Sequence, residues 1–215
     1  MNKSVIFDFD GVIVDSNHIK TEAFRVLFYN FSDELQQKIV DYHIKNEGLS
    51  RFIKLEYIFD NILDIAISTD RLKAYAKRYG ELVINKIIDL PLKKGVLSTL
   101  TTLIDNKIKA FIVSATPEYE IKMIIKKKGL SNFFDGVYGS PENKSDIIKK
   151  IAKNKNLDLN SSLYLGDSLL DYQTAIALNI MFIGIGDPKN HIFPKNTKVS
   201  NSVIDCLDVL KIPLN

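Results

Sequence analysis

A chain of 215 residues, 46% hydrophobic and 26% charged, is long enough for one large domain, or for one domain carrying an insertion, around a sizeable core. Its 29 basic and 26 acidic residues leave a formal net charge of +3, which excludes the dense basic stripe expected of a nucleic-acid binder. The one cysteine, Cys206, cannot make an internal disulfide and fits a reducing compartment, and no apolar stretch approaches the ~20 residues that span a bilayer. Asp8, Asp10 and Asp15 interrupt the apolar run at the amino end, so no signal peptide is expected and the expected location is cytoplasmic.

Ser4-Val5-Ile6-Phe7 is an apolar segment that predicts a short buried strand. Asp8 stands where that strand runs out, and Asp10 follows on a segment that Gly11 lets turn. From about Ser16 to Asp89 the pattern is helical. Ala23, Phe24, Leu27 and Phe28 recur at the spacing of one helix face, as do Leu55, Ile58, Phe59 and Ile62. Asp70 is a candidate cap for a further helix through Leu72, Tyr75, Ala76 and Tyr79 that ends near Gly80. From Pro91 the texture changes. A helix over about 96–103 precedes a strand, Ile108 to Val113, that stops at Ser114. A helix over about 118–128 closes on Lys126-Lys127-Lys128, where cations complement the carbonyl end of the helix dipole. Gly136-Val137-Tyr138 is the next strand, and Asn143 or Ser145 opens a helix through Ile147, Ile148 and Ile151. Leu163-Tyr164-Leu165 follows as a strand, then a helix over about 172–178, and finally a strand from Ile180 to Gly184. Strands alternating with helices indicate right-handed βαβ units and a parallel sheet. The expected fold is α/β, a parallel Rossmann-like sheet core (residues 1–15 and 90–215) with an inserted all-helical cap domain (residues 16–89). The joins near Ser16 and Pro91 are expected hinges.

Four features fall at the carboxyl ends of predicted strands, where open α/β sheets bind ligands. They are Asp8 with Asp10, Ser114 with Thr116, Lys144, and Gly166-Asp167 with Asp171. Two carboxylates at a strand end can divide a reaction into attack by one, forming an acyl-phosphate, and proton transfer by the other. The same residues also read as a strand end followed by an Asp-Gly turn. Ser114-Ala115-Thr116-Pro117 also reads as a helix start with a hydroxyl cap and an early proline, and Asp167 or Ser168 as the cap of the next helix. Together, these residue types suit phosphoryl transfer to a carboxylate. Carboxylates alone repel a phosphate dianion, so the site needs compensating cations. Mg²⁺ favours oxygen ligands; Asp8, Asp167 and the main-chain carbonyl of Asp10 could hold it, with Asp171 on a metal-bound water. Lys144 can touch both Asp8 and a phosphoryl oxygen. Gly11, Ser114 and Ala115 are the candidate phosphate contacts, through the Ser114 hydroxyl and backbone N–H groups.

With these motifs in this order, the chain resembles the haloacid dehalogenase (HAD) superfamily of phosphotransferases, in its β-phosphoglucomutase and phosphoglycolate phosphatase-like branch. Asp8-Phe9-Asp10-Gly11-Val12-Ile13-Val14-Asp15-Ser16 matches the nucleophile loop, Ser114 the second motif, Lys144 the third, and Gly166-Asp167 through Asp171 the fourth. Pro91-Leu92-Lys93-Lys94-Gly95-Val96 looks like the usual return from a cap to the core. The resemblance implies Asp8 as nucleophile, Asp10 as general acid/base, Mg²⁺ as cofactor and a cap that closes over substrate. Many relatives follow the third-motif lysine with proline, whereas Ser145 follows Lys144; Lys149 and Lys150, further along the same predicted helix, are the alternatives. The resemblance also implies that a chain retaining Asp10 is not a dehalogenase. Gly48-Leu49-Ser50-Arg51 resembles the cap segment of β-phosphoglucomutase-like enzymes, whose Arg contacts substrate, and reads equally as a helix start. Those mutases also tend to carry a His where this chain has Lys20. Arg51 and Lys20, with Asn17 and His18, are candidate substrate contacts. The expected activity is Mg²⁺-dependent hydrolysis of a small phosphate monoester (a sugar phosphate or a phosphorylated alcohol or acid) through an aspartyl-phosphate, the alternative being a sugar phosphomutase. The expected partner is a small phosphorylated metabolite, with no nucleic acid and no membrane; monomer and homodimer both stay open. A non-catalytic scaffold of this fold is expected to have lost at least one of Asp8, Asp10, Lys144 or Asp167, and all are present.

Overall fold

The structure, a computed structural model, describes residues 3–212. The expected core also takes in residues 1–2 and 213–215, which lie outside the described residues. Two compact units are present: Met1–Asp15 with Pro91–Asn215, and Ser16–Leu90. In chain order, β1 (Ser4–Phe7) leads to the helices of the second unit: α1 (Asn17–Leu27), α2 (Asp33–Lys45), α3 (Arg51–Tyr57), a π-helical turn at Ile58–Ile62, and α4 (Thr69–Asp89). The first unit resumes with α5 (Val96–Asp105), β2 (Lys109–Pro117), α6 (Glu118–Lys127) and β3 (Gly136–Ser140). It continues through α7 (Lys144–Lys155), β4 (Leu163–Gly166), α8 (Leu169–Ala177) and β5 (Met181–Ile185) to β6 (Val199–Ser200) and α9 (Asp205–Leu210). Among the described residues no helix is long and apolar enough to cross a membrane.

The strands form one parallel sheet in the order β3-β2-β1-β4-β5-β6, so the α/β, Rossmann-like expectation is met. β1 lies inside the sheet, which explains why it reads as a continuous apolar run rather than an alternating one. On one face Ile6, Phe111, Val113 and Tyr164 meet Ile147, Ile148 and Ile151 of α7 and Ala175 of α8, all essentially excluded from water. Each such aliphatic or aromatic side chain contributes about 1.5–3 kcal/mol on burial. Cys206 is buried, and burial pushes its thiol up to about 12, which makes it inert.

Several elements differ from the sequence expectation for identifiable reasons. β2 does not stop at Ser114 but continues to Pro117 with a shift of register against β3. α8 begins at Leu169, three residues before the expected Tyr172, because Ser168 and Asp171 form a reciprocal capping box. α4 starts after Ser68 rather than at an Asp70 cap, and it does not end at Gly80 but runs on to Asp89. A helical glycine costs about 1 kcal/mol, which the burial of Val83 and Ile87 beyond it outweighs. β6 and α9 have two and six residues, too short for periodicity to reveal.

In the helical unit, serines 32, 50 and 68 each accept a hydrogen bond from the third helical N–H of α2, α3 and α4. The expected stripes meet in a run of aromatic contacts from Tyr79 through Phe24, Phe28 and Phe59 to Tyr75. His43 is packed into this cluster, 1% exposed and 4.6 Å from the Phe24 ring. Its Nδ1 lies 3.1 Å from the buried Lys54 Nζ, and since an ammonium only donates, Nδ1 accepts. Burial first, then the charges of Lys54 and Lys20, push the His43 pKa down to about 2. Between that value and its ordinary 6.5 the unfolded chain binds a proton that the folded chain refuses. Stability is therefore present above pH 6.5 and lost as pH falls below it. Urea unfolding of wild type is expected to lose about 2 kcal/mol between pH 7 and pH 5 from this group, and His43→Gln to remove that part of the slope. An unchanged slope in the variant would contradict the assignment.

Candidate active site

Asp8 extends β1 by one ladder position, its N–H donating to the Leu165 carbonyl at 2.9 Å. Its side chain therefore leaves the sheet at the carboxyl end of β1, beside the end of β4. Oδ1 accepts from the Phe9 N–H at 2.7 Å, which orients the carboxylate. Phe9, Val12, Ile13 and Val14 are all fully buried and turn the chain back on itself through the Ile13 N–H to Phe9 carbonyl bond of 2.8 Å. Asp10 thus sits in a turn whose backbone is tied by hydrogen bonds and backed by buried apolar side chains.

Lys144 is the first residue of α7, held there by Asn143, whose side chain caps the helix at Asp146 N–H. From that position Nζ reaches Asp8 Oδ2 at 2.8 Å and Asp171 Oδ1 at 2.7 Å, all three side chains nearly excluded from water. Lys149 and Lys150, the alternatives in sequence, instead pair with the surface acids Asp146 and Glu142. Asp171 accepts from the Tyr164 hydroxyl at 2.6 Å on Oδ1, and from the Ser168 hydroxyl at 2.6 Å and N–H at 3.2 Å on Oδ2. Gly166 makes this fold-back possible, because a Cβ there would lie 2.3 Å from the Asp171 Cβ.

The charges follow from this geometry. Burial pushes the Asp8 carboxyl up to about 7; Lys144 pulls it back, while Asp171 and Asp10 add to the rise. Burial acts against the Lys144 charge too, but Asp171 and Asp8 overcome it and hold the ammonium above the ordinary lysine range. Asp171 is likewise opposed by burial, yet Lys144, Ser168 and Tyr164 keep its carboxyl below the usual range. One cation thus serves two buried carboxylates, leaving a negative excess that a second cation would relieve.

Carboxylate oxygens of Asp8, Asp167 and Asp171 come within 4.8 Å of one another. This hard oxygen set suits a divalent ion such as Mg²⁺. Asp171 already has both oxygens engaged by four protein donors, so it is better fitted to hold Lys144 and Ser168 than to bind a metal directly. Asp167 is half-buried at the end of β4. The Asp10 carboxylate is not part of this group; Oδ2 accepts from the Thr116 hydroxyl at 3.0 Å.

Ser114 is buried, and its Oγ accepts from the Thr116 N–H at 3.1 Å, which keeps its hydroxyl proton available for donation; Ala115 is half-buried beside it. Gly11 closes the turn after Asp10: its N–H donates to the Val14 carbonyl at 2.8 Å and its carbonyl accepts from Lys93 Nζ at 2.5 Å. In the helical unit Arg51 is buried in the first turn of α3, with Nη1 on the Ala76 carbonyl at 3.1 Å and the guanidinium 4.8 Å from the Tyr79 ring centre. Lys20 lies half-buried on α1, and its carbonyl accepts from the Tyr79 hydroxyl at 3.4 Å. Sequence reasoning passed over Tyr164 and Lys93. Tyr164 reads there as one more apolar strand residue, and nothing short of a contact across β4 and α8 reveals its hydroxyl.

Residues 5–185 match the family described as "Haloacid dehalogenase-like hydrolase". A phosphoglycolate phosphatase of Pseudomonas putida is 24% identical over 214 residues, spanning 96% of this chain and 77% of that protein. The crystal structure of a β-phosphoglucomutase from Clostridium difficile superposes with a TM-score of 0.75 at 22% identity, covering 95% of this chain and 93% of that one. A predicted phosphoglycolate phosphatase from Haemophilus somnus gives 0.76 at 17% identity, with 97% of each chain covered. At these identities the structural likenesses speak for the fold.

Proposed function

The chain belongs to the haloacid dehalogenase-like hydrolase family, and on that premise we propose that it is a phosphatase acting on a small phosphate monoester through an aspartyl-phosphate at Asp8. The observation that carries this reading is the buried Asp8–Lys144–Asp171 array at the carboxyl ends of β1 and β4, with Asp10 held apart on Thr116. Such a separation supports attack by one carboxylate and proton transfer by the other. The family match and the likeness to phosphoglycolate phosphatases support the same reading.

In the first half-reaction Asp8 attacks phosphorus, and Asp10 gives its proton to the departing oxygen as the ester bond breaks. In the second, Asp10 takes a proton from a water that attacks the phosphoryl group and releases Asp8. Such acid/base help contributes roughly 10²–10⁴-fold. Lys144 and Ser114 supply further stabilisation by presenting a cation and a hydroxyl to the phosphoryl oxygens. Asp8 and Asp167, with the Asp10 carbonyl, would hold Mg²⁺, which supplies positive charge against the phosphoryl oxygens when bound. Asp171 keeps Lys144 in place. Arg51, whose planar fork suits a phosphate or carboxylate, and Lys20, both in the helical unit, are candidate substrate contacts in this reading.

Hydrolysis of p-nitrophenyl phosphate is expected with Mg²⁺, falling at least about 100-fold when EDTA is in excess. Equal rates with and without the chelator would rule out the metal. A panel of phosphorylated sugars, alcohols and acids then identifies the substrate by kcat/KM. The phosphomutase alternative makes the opposite forecast for ³¹P NMR: an isomerised sugar phosphate in place of inorganic phosphate.

A further inference from the structure

Strand β2 outruns its own apolar segment. Between Val113 and Pro117 it slips register against β3, an irregularity of the kind that bends a strand and re-aims a side chain. Two local features hold it. The Ser114 Oγ accepts from the Thr116 N–H at 3.1 Å, and β3 approaches so closely at Gly139 that a Cβ there would lie 2.3 Å from the Thr116 carbonyl oxygen. Only glycine fits such an approach. The consequence is a contact across 106 residues of sequence: Thr116 Oγ1 lies 3.0 Å from Asp10 Oδ2, with both side chains buried.

We propose that Thr116 is a positioning residue for Asp10. Its hydroxyl, aimed by the bent end of β2, engages Oδ2 and so sets the plane of the carboxyl group that transfers the proton. When the ester bond breaks, the Asp10 carboxyl proton passes to the leaving oxygen with the bonding pair left on that oxygen. When water attacks phosphorus, the same carboxylate takes a water proton as the bond between Asp8 and phosphorus breaks. Because Ser114 holds the bend, the residue assigned to phosphate contact also sets the orientation of the acid. The inference rests on the assignment of Asp10 as acid/base made above.

Thr116→Val keeps the shape and removes the hydroxyl, and Thr116→Ser keeps the hydroxyl. The valine variant is expected to lower kcat/KM at least about tenfold on an alkyl phosphate, whose leaving oxygen needs a proton, and less than about threefold on p-nitrophenyl phosphate, whose leaving group does not. The serine variant is expected to return both values to within about threefold of wild type. A merely structural role would depress both substrates alike. Equal losses, or none, therefore overturn the proposal. If the valine variant does not fold, Thr116→Ala is compared with Thr116→Ser in the same way. Crystal structures of wild type and the folded variant give a second reading, in which an Asp10 carboxyl that keeps its rotamer without the hydroxyl overturns it. Failure of wild type to hydrolyse any phosphate ester would defeat the phosphatase reading and this one with it. Active wild type with an unaltered leaving-group dependence in the variant defeats this one alone.

Discussion

Asp8→Asn is expected to lower turnover by at least about 10⁴-fold while leaving the fold in place. An amide of the same shape has no anionic lone pair to attack phosphorus, and its single carbonyl oxygen can accept from the Phe9 N–H or from Lys144 Nζ but not from both. Lys144 keeps its 2.7 Å partner Asp171, so no buried ammonium is left alone. The substitution also relieves the repulsion from Asp171 and Asp10 that helps raise the Asp8 carboxyl to about 7. Thermal unfolding is accordingly expected near the wild-type temperature. The decisive measurement is hydrolysis of p-nitrophenyl phosphate beside an acid-quench assay for covalently bound phosphate. Near-normal turnover, or protein-bound phosphate persisting in the variant, would remove Asp8 from the role of nucleophile.

Lys144→Ala is expected to damage both stability and rate. Asp8 and Asp171 share this one ammonium at 2.8 and 2.7 Å, with all three side chains nearly excluded from water. Taking one partner from such an array leaves buried negative charge uncompensated, at a cost of about 3–5 kcal/mol. Loss of the cation from the phosphoryl oxygens should lower kcat by about 10²-fold or more. Arginine is not a conservative replacement, since its planar fork cannot stand between two carboxylates as a compact ammonium does. A divalent ion offers partial compensation, so Mg²⁺ should raise the melting temperature of the variant more than that of wild type. Urea unfolding, thermal shift with and without Mg²⁺, and steady-state rates test these three effects. A variant as stable and as fast as wild type would show that Lys144 neutralises nothing that matters.

How much of this was legible in the sequence depends on the range of the interaction. Residues in contact along the chain declared themselves. The apolar run ending at Phe7 placed Asp8 at a strand end, and Leu163-Tyr164-Leu165 placed Asp167 and Asp171 on the turn after another. Alternation of apolar strands with helical stripes implied a parallel sheet, which is what forms. Local readings failed where packing outweighed propensity. Gly80 did not stop α4, because the helix gains burial beyond it, and β2 did not stop at Ser114, because β3 pairs with it as far as Pro117.

By itself, then, the sequence determined the order of the elements and which acids stand at strand ends, because both follow from periodicity and from neighbours a few residues apart. Only the tertiary structure decided that Lys144 rather than Lys149 or Lys150 meets Asp8, that Asp171 spends its lone pairs on Lys144, Tyr164 and Ser168, and that Thr116 faces Asp10. Those pairings join side chains from different strands and helices, and their distances depend on sheet register and on how closely backbones approach at Gly139 and Gly166. No local pattern of residues encodes that register.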